Sequence, residues 1–171
     1  MEIPTINDAA ELLAHVLAVE SEAGERYAEL AETMDAANNI EVAKLFRYLS
    51  EIEELHADKV RNQASELKIS LPEQRYNWQA PDGPESGAFE DLHYQMTMEH
   101  ALLLARHNEQ RAVDYFAAIA EQVDSEEIKA MATEMVEDEK EHVELLNKWL
   151  DKLSDADKDW NEDMDDPIGQ D

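Results

Sequence analysis

The segment EIKAMATEMVEDEKEHVELL, residues 127–146, has a helical pattern whose interruption decides the fold. Apolar side chains recur every three or four residues from Ile128 to Met135, and the stripe resumes at Leu146, which predicts an amphipathic helix. The same stripe, continued through the charged stretch EDEKEH, places Glu139 and His142 at core positions. Burying a carboxylate without a partner costs several kcal/mol. We therefore expect a buried partner that binds both the carboxylate and the imidazole.

An internal repeat shows that this arrangement occurs twice. The segment EVAKLFRYLSEIEELHADKV, residues 41–60, aligns with the first segment at an offset of 86. In that alignment Glu53 matches Glu139, and His56 matches His142. The Glu-x-x-His pair therefore lies on an apolar stripe in both copies. A chance pairing in a chain with 42 acidic residues does not explain this match.

A second pair of segments repeats in the same order. ESEAGERYAELAE, which begins at Glu20, aligns with EQRAVDYFAAIAE, which begins at Glu109. The alignment also places Tyr27 opposite Phe116. Both glutamates lie on the apolar stripes of their segments. The chain thus consists of two similar helical hairpins, each with one glutamate on its first helix and Glu-x-x-His on its second.

Four stretches have helical periodicity, and they are joined by two short turns and one long loop. We expect helices at about residues 8–34, 40–67, 89–122 and 126–153. Asn7 or Asp8 is the expected N-cap of the first helix, with Glu11 placed for a capping box.

The long loop, residues 70–87, is rich in proline and glycine and can run the full length of the bundle. The pattern predicts an all-α four-helix bundle with one long crossover between helices 2 and 3 and an internal two-fold repeat. We expect residues 1–153 to form this single domain and residues 154–171 to form an acidic, flexible tail.

The four repeated carboxylates lie at matched distances from the turns. Glu20 and Glu53 are 17 and 16 residues from the centre of the first turn. Glu109 and Glu139 are each 15 residues from the centre of the second. Equal distances in an antiparallel hairpin mean equal heights, so two stacked hairpins bring the carboxylates and histidines into one core. Divalent metal would supply the missing positive charge there. The predicted metal ligands are Glu20, Glu53, His56, Glu109, Glu139 and His142.

These residues resemble the ferritin-like di-iron carboxylate superfamily, and within it the rubrerythrin branch, over residues 8–153. The resemblance implies two iron ions per chain, although manganese or zinc also accept oxygen and imidazole ligands. It implies that Glu53 and Glu139 bridge the two metals. The other four would be terminal ligands: Glu20 with His56, and Glu109 with His142. It further implies reaction with dioxygen or hydrogen peroxide, an electron donor that the sequence does not name, and a homodimer.

The chain departs from the rubrerythrins in three respects. It has no cysteine, whereas rubrerythrins of the two-domain type add a rubredoxin domain with four. It has Ala112 where they carry an extra glutamate three residues after the helix-3 ligand, which shifts the expectation from peroxidase toward ferroxidase chemistry. Phe116 in place of tyrosine leaves Tyr27 as the phenol of that layer. Tyr27 is then a donor to a metal ligand with a catalytic role, or a core side chain.

Two functions from different classes follow from this site. The first is an oxidoreductase that oxidises Fe(II) with dioxygen or hydrogen peroxide, in iron homeostasis or defence against oxidative stress. The second is a non-enzymatic protein that stores, buffers or delivers iron or another divalent metal. An enzyme would turn over with an external reductant, whereas a carrier would load once and stop.

The remaining features of the sequence concern the partners of the protein, its location in the cell and its other histidines. A formal net charge of -28 argues against nucleic acid as a partner. No apolar run reaches the roughly 20 residues of a membrane helix, and the N-terminus has no secretory signal, so we expect a cytoplasmic protein. We expect His15, His100 and His107 at the surface or rim, and Glu90-x-x-His93 at a capped helix start.

Overall fold

The computed structural model describes residues 3–71 and 96–162, the last of these with side chains up to residue 154. The described residues form four helices: α1 (Ala9–Ala36), α2 (Ile40–Glu66), α3 (Met98–Gln122) and α4 (Glu126–Glu162). The predicted all-α fold of two hairpins is therefore confirmed. Each helix buries one apolar stripe against the others, as its three- and four-residue spacing predicts.

Local side-chain contacts explain where the first hairpin begins and turns. Asp8 is the N-cap of α1, and its carboxylate accepts a hydrogen bond from the Glu11 backbone N–H at 2.8 Å. The Glu11 carboxylate accepts in return from the N–H of Asn7, 2.7 Å away. The α1–α2 turn contains Asn38 in the left-handed region (φ 61°), which asparagine tolerates better than most residues. Asn39 then donates its side-chain amide to the carbonyl of Met96 at 2.8 Å, which joins this turn to the chain entering α3.

Two helix ends differ from the sequence prediction. The prediction that helix 3 begins near Phe89 is wrong: Thr97 is the N-cap of α3, and its hydroxyl accepts from the His100 N–H at 3.2 Å. Helix α4 continues to Glu162, past the expected end at Leu153. The assignment of residues 154–171 as a separate flexible tail stays a prediction.

Several predicted features lie outside the described residues. These are residues 72–87 of the long loop, and the pair Glu90 and His93. Among the helices of the described residues, none combines the length and apolar character that crossing a membrane requires.

Side-chain contacts between the hairpins define the topology. Tyr48 of α2 packs against Trp149 of α4, with ring centroids 5.5 Å apart. Further along α2, Lys59 forms an ion pair with Asp138 of α4. Since a later residue of α2 meets an earlier residue of α4, these helices are antiparallel. Helices α2 and α3 consequently run parallel, so the end of α2 and the start of α3 lie at opposite ends of the bundle, which is the arrangement that a long crossover requires.

The apolar core is divided into two clusters by a polar layer. One cluster lies toward the α3–α4 turn and contains Val16, Phe116 and Met131 among its buried side chains. The other lies toward the α1–α2 turn and contains Phe46 and Leu102. The segments between the two clusters carry the six predicted metal ligands. The fold therefore encloses these polar groups in apolar material above and below.

Candidate metal centre

Each of the four helices contributes one fully buried carboxylate to this layer. Glu20, Glu53, Glu109 and Glu139 are all between 0% and 1% exposed. His142 is 9% exposed, and the His56 side chain is 23% exposed. The six residues that the sequence predicts as metal ligands therefore meet in one place, with His56 at its most open edge.

The helices approach closely at this height, which holds the carboxylates in position. Gly24 of α1 faces α2, and a Cβ at this position would lie 3.4 Å from the Cβ of Glu53. The Ser50 hydroxyl donates a hydrogen bond to the carbonyl of Gly24 at 2.8 Å. Glu20 lies one turn before Gly24 on α1, and Glu53 lies one turn after Ser50 on α2. The small residue and the hydroxyl thus fix the separation of α1 and α2 at the site.

The six side chains form two groups, each with ligand atoms within 4.8 Å of one another. One group consists of Glu20, His56 and Glu139, and the other of Glu53, Glu109 and His142. Each group combines a glutamate and a histidine of one hairpin with the Glu-x-x-His glutamate of the other hairpin. Such an exchange is what carboxylates that bridge two metals require. The assignment of the six as ligands stays a prediction that this geometry supports.

His142 is at the centre of the contacts in the second group. Its Nδ1 atom lies 3.1 Å from Glu109 Oε2, 3.4 Å from Glu139 Oε2 and 3.9 Å from Glu53 Oε1. Its Nε2 atom lies 3.3 Å from the Nε2 atom of His56. His56 in turn has Nδ1 3.9 Å from Glu20 Oε1. The two imidazoles therefore face each other between the two carboxylate groups.

In the absence of metal, the positive charge that the four carboxylates need comes from a proton on one of the two histidines. Burial disfavours a charged His142, but its hydrogen bonds with Glu109 and Glu139 raise the pKa of this imidazole to about 11. Burial, and then the positive His142, lower the pKa of His56 to about 4. In the absence of metal both shifts favour a protonated His142 and a neutral His56, with Nδ1 of His142 facing Glu109 and its Nε2 facing Nε2 of His56. One proton thus partly balances the carboxylates.

That proton does not balance all of the negative charge. Burial, followed by the proximity of Glu139, raises the pKa of Glu20 well above its ordinary range. Burial is also the largest cause that raises the pKa of Glu139 to about 7, and Glu109 adds to it. Both carboxylates are therefore costly to ionise in the absence of metal.

The chemistry of the donors fits two divalent ions. Glu20 Oε2 and Glu139 Oε1 are buried and have no hydrogen-bond partner among the described residues. Buried oxygens without partners are unfavourable in a stable fold, and coordination to a cation would satisfy them. Carboxylate and imidazole donors suit iron, manganese and zinc. The residues present therefore fit a two-metal centre.

Tyr27 belongs to the surroundings of this centre. Its hydroxyl donates a hydrogen bond to Glu109 Oε1 at 2.9 Å, and its ring stacks on Phe46 with centroids 6.0 Å apart. The bond joins α1 to α3 and orients a predicted terminal ligand. Position 116, its partner in the repeat, is a phenylalanine with no hydroxyl, so the other half of the site has no equivalent bond at that position.

We expect Tyr27→Phe to lower the free energy of unfolding of the metal-free protein by about 1.5–3 kcal/mol, because a buried hydrogen bond to a charged group is lost. Tyr48→Phe is the matched control, since Tyr48 is 45% exposed and should change stability by less than about 0.5 kcal/mol. Urea unfolding of both variants measures the difference. Equal stability of Tyr27→Phe and wild type would show that the hydroxyl only fills space.

The sequence analysis did not predict the burial of two polar side chains, His15 and Asn108. His15, expected at the surface or rim, is 7% exposed, and its Nδ1 atom lies 3.4 Å from the Tyr115 hydroxyl. His100 and His107 are exposed as expected. Asn108, which directly precedes Glu109, is 1% exposed, and its burial was not predicted. Its position on the apolar stripe of α3 would have indicated that it is buried.

Comparison with known families agrees with this geometry. The family model described as Rubrerythrin matches residues 11–82 and 100–165. The chain belongs to the rubrerythrin family. This family is one of ferritin-like di-iron proteins, in accordance with the two carboxylate–histidine groups. With no cysteine in its 171 residues, this rubrerythrin-family sequence contains no rubredoxin-type iron site.

A crystal structure provides the second comparison. An uncharacterised conserved protein from Magnetospirillum magnetotacticum MS-1 is 38% identical to this rubrerythrin-family chain. The alignment covers 85% of this chain and 95% of that one, with a TM-score of 0.63. No match was found among curated proteins. The comparisons thus establish the family and the fold, and leave the reaction to be argued from the site.

Proposed function

We propose that this chain is a di-iron protein that oxidises Fe(II) with dioxygen or hydrogen peroxide. The observation that supports the proposal most directly is the pair of groups Glu20–His56–Glu139 and Glu53–Glu109–His142. Two ions bound in these groups would share carboxylates of both hairpins. Bound iron would supply two one-electron donors close together, which suits a two-electron oxidant.

The side chains of the site favour this chemistry in three ways. Four carboxylates provide negative charge, which stabilises the higher charge of Fe(III) relative to Fe(II). The apolar clusters above and below exclude bulk water and strengthen every electrostatic interaction in the layer. His56 is the most exposed of the six, so the α2–α4 face is the shortest route for an ion or oxidant. The net charge of -28 attracts cations to the protein as a whole.

A second candidate function is metal storage, buffering or delivery without turnover. The donor set supports it, because glutamate and histidine bind manganese and zinc as well as iron and do not by themselves select a redox metal. We also propose, from the family resemblance, that the protein is a cytoplasmic homodimer and that a separate reductant supplies electrons. Sedimentation of the purified chain measures its oligomeric state.

Stopped-flow absorbance tests the leading proposal. Anaerobic protein with two Fe(II) per chain is mixed separately with dioxygen and with hydrogen peroxide, and near-ultraviolet absorbance reports Fe(III). We expect rapid growth of this absorbance, at least tenfold slower in His142→Ala, because one group of donors then loses its histidine. His107→Ala is the matched control, since His107 is exposed and should react at the wild-type rate.

The enzyme and the carrier give different results in the same instrument. Repeated cycles after addition of an external reductant support an enzyme, whereas a single oxidation followed by a stable ferric product supports a carrier. Tight binding of two ions without absorbance growth from either oxidant would contradict the oxidation proposal. Wild-type rates in His142→Ala would contradict the assignment of the site.

A further inference from the structure

A polar cavity between α3 and α4 lies outside the metal centre. Its volume is about 400 Å³, and it is lined by Arg106, His107 and Gln110 of α3 and by Val143 and Asn147 of α4. None of these residues is a predicted metal ligand, and none of them is acidic. The cavity therefore offers N–H donors and no carboxylate, although the chain as a whole has a net charge of -28.

The guanidinium of Arg106 is not neutralised by a carboxylate. Its Nη1 atom donates a hydrogen bond to Asn147 Oδ1 at 3.2 Å, and no acidic side chain of the described residues forms an ion pair with it. Other arginines of this acidic chain have such partners: Arg26 pairs with a glutamate, Arg47 with an aspartate, and Arg61 with one of each. Arginine has five N–H donors, so the bond with Asn147 leaves most of them available beside the cavity.

The internal repeat shows that the fold does not require these side chains. At the offset of 89 that places Glu20 on Glu109, Arg106 matches Leu17, a partly buried side chain that packs against the apolar core. The first hairpin thus has a hydrocarbon where the second has a guanidinium. Packing of the hairpin therefore does not account for the charge at this position.

Two helices hold the donors around the cavity. Arg106 and Gln110 are one turn apart on α3, so their side chains leave the same face of that helix. Asn147 of α4 uses Oδ1 to accept from Arg106, and its Nδ2 remains a donor. Gln110 donates one amide hydrogen to Asp114 Oδ1 at 3.0 Å and keeps the other. One bound group in the cavity can therefore accept hydrogen bonds from both helices.

We propose that this cavity binds a phosphate group, either as inorganic phosphate or in a small phosphate monoester. Guanidinium binds phosphate through paired N–H···O bonds. The oxygens of phosphate point in four directions, which suits donors on two helices better than the planar oxygens of a carboxylate. A cavity of about 400 Å³ is larger than a phosphate ion, so a small organic group also fits, against Val143. The site is separate from the proposed oxidation of iron.

Titration of the full-length chain, freed of metal, with inorganic phosphate tests the site. At about 0.15 M salt, repulsion from acidic groups more than about 8 Å away is largely screened. In protein labelled with ¹⁵N-arginine, phosphate should shift the Nε–H signal of Arg106 saturably. Loss of this signal in Arg106→Leu identifies it. The signal of Arg26, which pairs with Glu29 at 3.1 Å, should not shift.

Two variants test the donors by calorimetry. Arg106→Leu introduces the residue of the first hairpin and should weaken phosphate binding by roughly tenfold or more, because a charge-assisted hydrogen bond is lost. Asn147→Asp keeps the shape of the side chain and places a carboxylate against Arg106. It should weaken binding at least as much, even if Arg106→Leu fails to fold. Arg26→Leu is the matched control and should bind phosphate as wild type does.

Glycerol phosphate distinguishes the two sources of the phosphate group. Tighter binding of glycerol phosphate than of inorganic phosphate indicates an organic monoester as the ligand, and the reverse order indicates the free ion. An Arg106 signal that acetate shifts as much as phosphate does at equal ionic strength would overturn the inference. An unshifted signal, or unchanged phosphate binding in Asn147→Asp, would overturn it as well. Because these titrations contain no iron, the phosphate site and the proposed oxidation can fail separately.

Discussion

The melting temperature of the metal-free protein is expected to rise by roughly 10–20 °C when two manganese ions per chain bind at about a hundred times their dissociation constant. Each ion then adds about 2.7 kcal/mol, and 1 kcal/mol corresponds to about 2–4 °C for a chain of this size. The physical cause is the replacement of repulsion by coordination, because Glu20 and Glu139 are costly to ionise without a cation. Manganese avoids oxidation during the measurement.

Differential scanning calorimetry of two matched variants assigns this stabilisation to the site. Glu53→Ala removes a carboxylate that is 0% exposed, and its melting temperature should rise by less than half the wild-type amount. Glu141→Ala removes an exposed carboxylate of α4 near the site and should keep the full rise. If Glu53→Ala rises as much as wild type, the ions bind to the acidic surface and the proposed centre is wrong.

The fold follows from the sequence where periodicity and local capping agree. Asp8 caps α1 as its position before an apolar stripe predicts, and Ser125 precedes α4, where its carbonyl accepts from the Lys129 N–H at 2.9 Å. Agreement fails at the start of α3. Helical spacing continues upstream of Thr97 in the sequence, but the Thr97 hydroxyl caps the helix at Met98. Apolar spacing allows a helix to begin earlier but does not require it, whereas the Thr97 hydrogen bond stabilises a helix that begins at Met98.

The sequence predicts which six residues form the site more completely than it predicts how they divide into two groups. Heights measured from the turns bring Glu53 and Glu139 into one layer, because helical rise is nearly constant. The exchange of these two glutamates between the groups depends on side-chain rotamers, which spacing does not specify. Asn108 and His15 were not identified because periodicity predicts that a position is buried and says nothing of its hydrogen-bond partners.

Glu139→Gln is expected to stabilise the metal-free protein at pH 8 by roughly 3 kcal/mol, since one pKa unit corresponds to about 1.4 kcal/mol. The carboxyl has an ordinary pKa of 4.5 and a native pKa of about 7, so the native state binds its proton more tightly than the unfolded state. The stability that this proton confers is complete below pH 4.5 and is lost as the pH rises through 7. Glutamine is neutral throughout, so the variant avoids that loss, and its advantage over wild type should shrink to about 1 kcal/mol near pH 5.

Metal should reverse the order of the two proteins. Glutamine cannot bridge two cations as a carboxylate does, so with manganese at pH 8 Glu139→Gln should melt below wild type, although it melts above it without metal. His142 keeps Glu109 at 3.1 Å as an ion-pair partner in the variant, which limits any loss from that imidazole. Glu141→Gln, at an exposed position of the same helix, should change the free energy of unfolding by no more than about 0.5 kcal/mol, with or without metal. Urea unfolding at pH 5 and pH 8 measures both conditions. If metal-free Glu139→Gln is less stable than wild type at pH 8, the Glu139 carboxylate stabilises the fold without a cation. The argument that this core needs metal to offset buried negative charge would then be wrong.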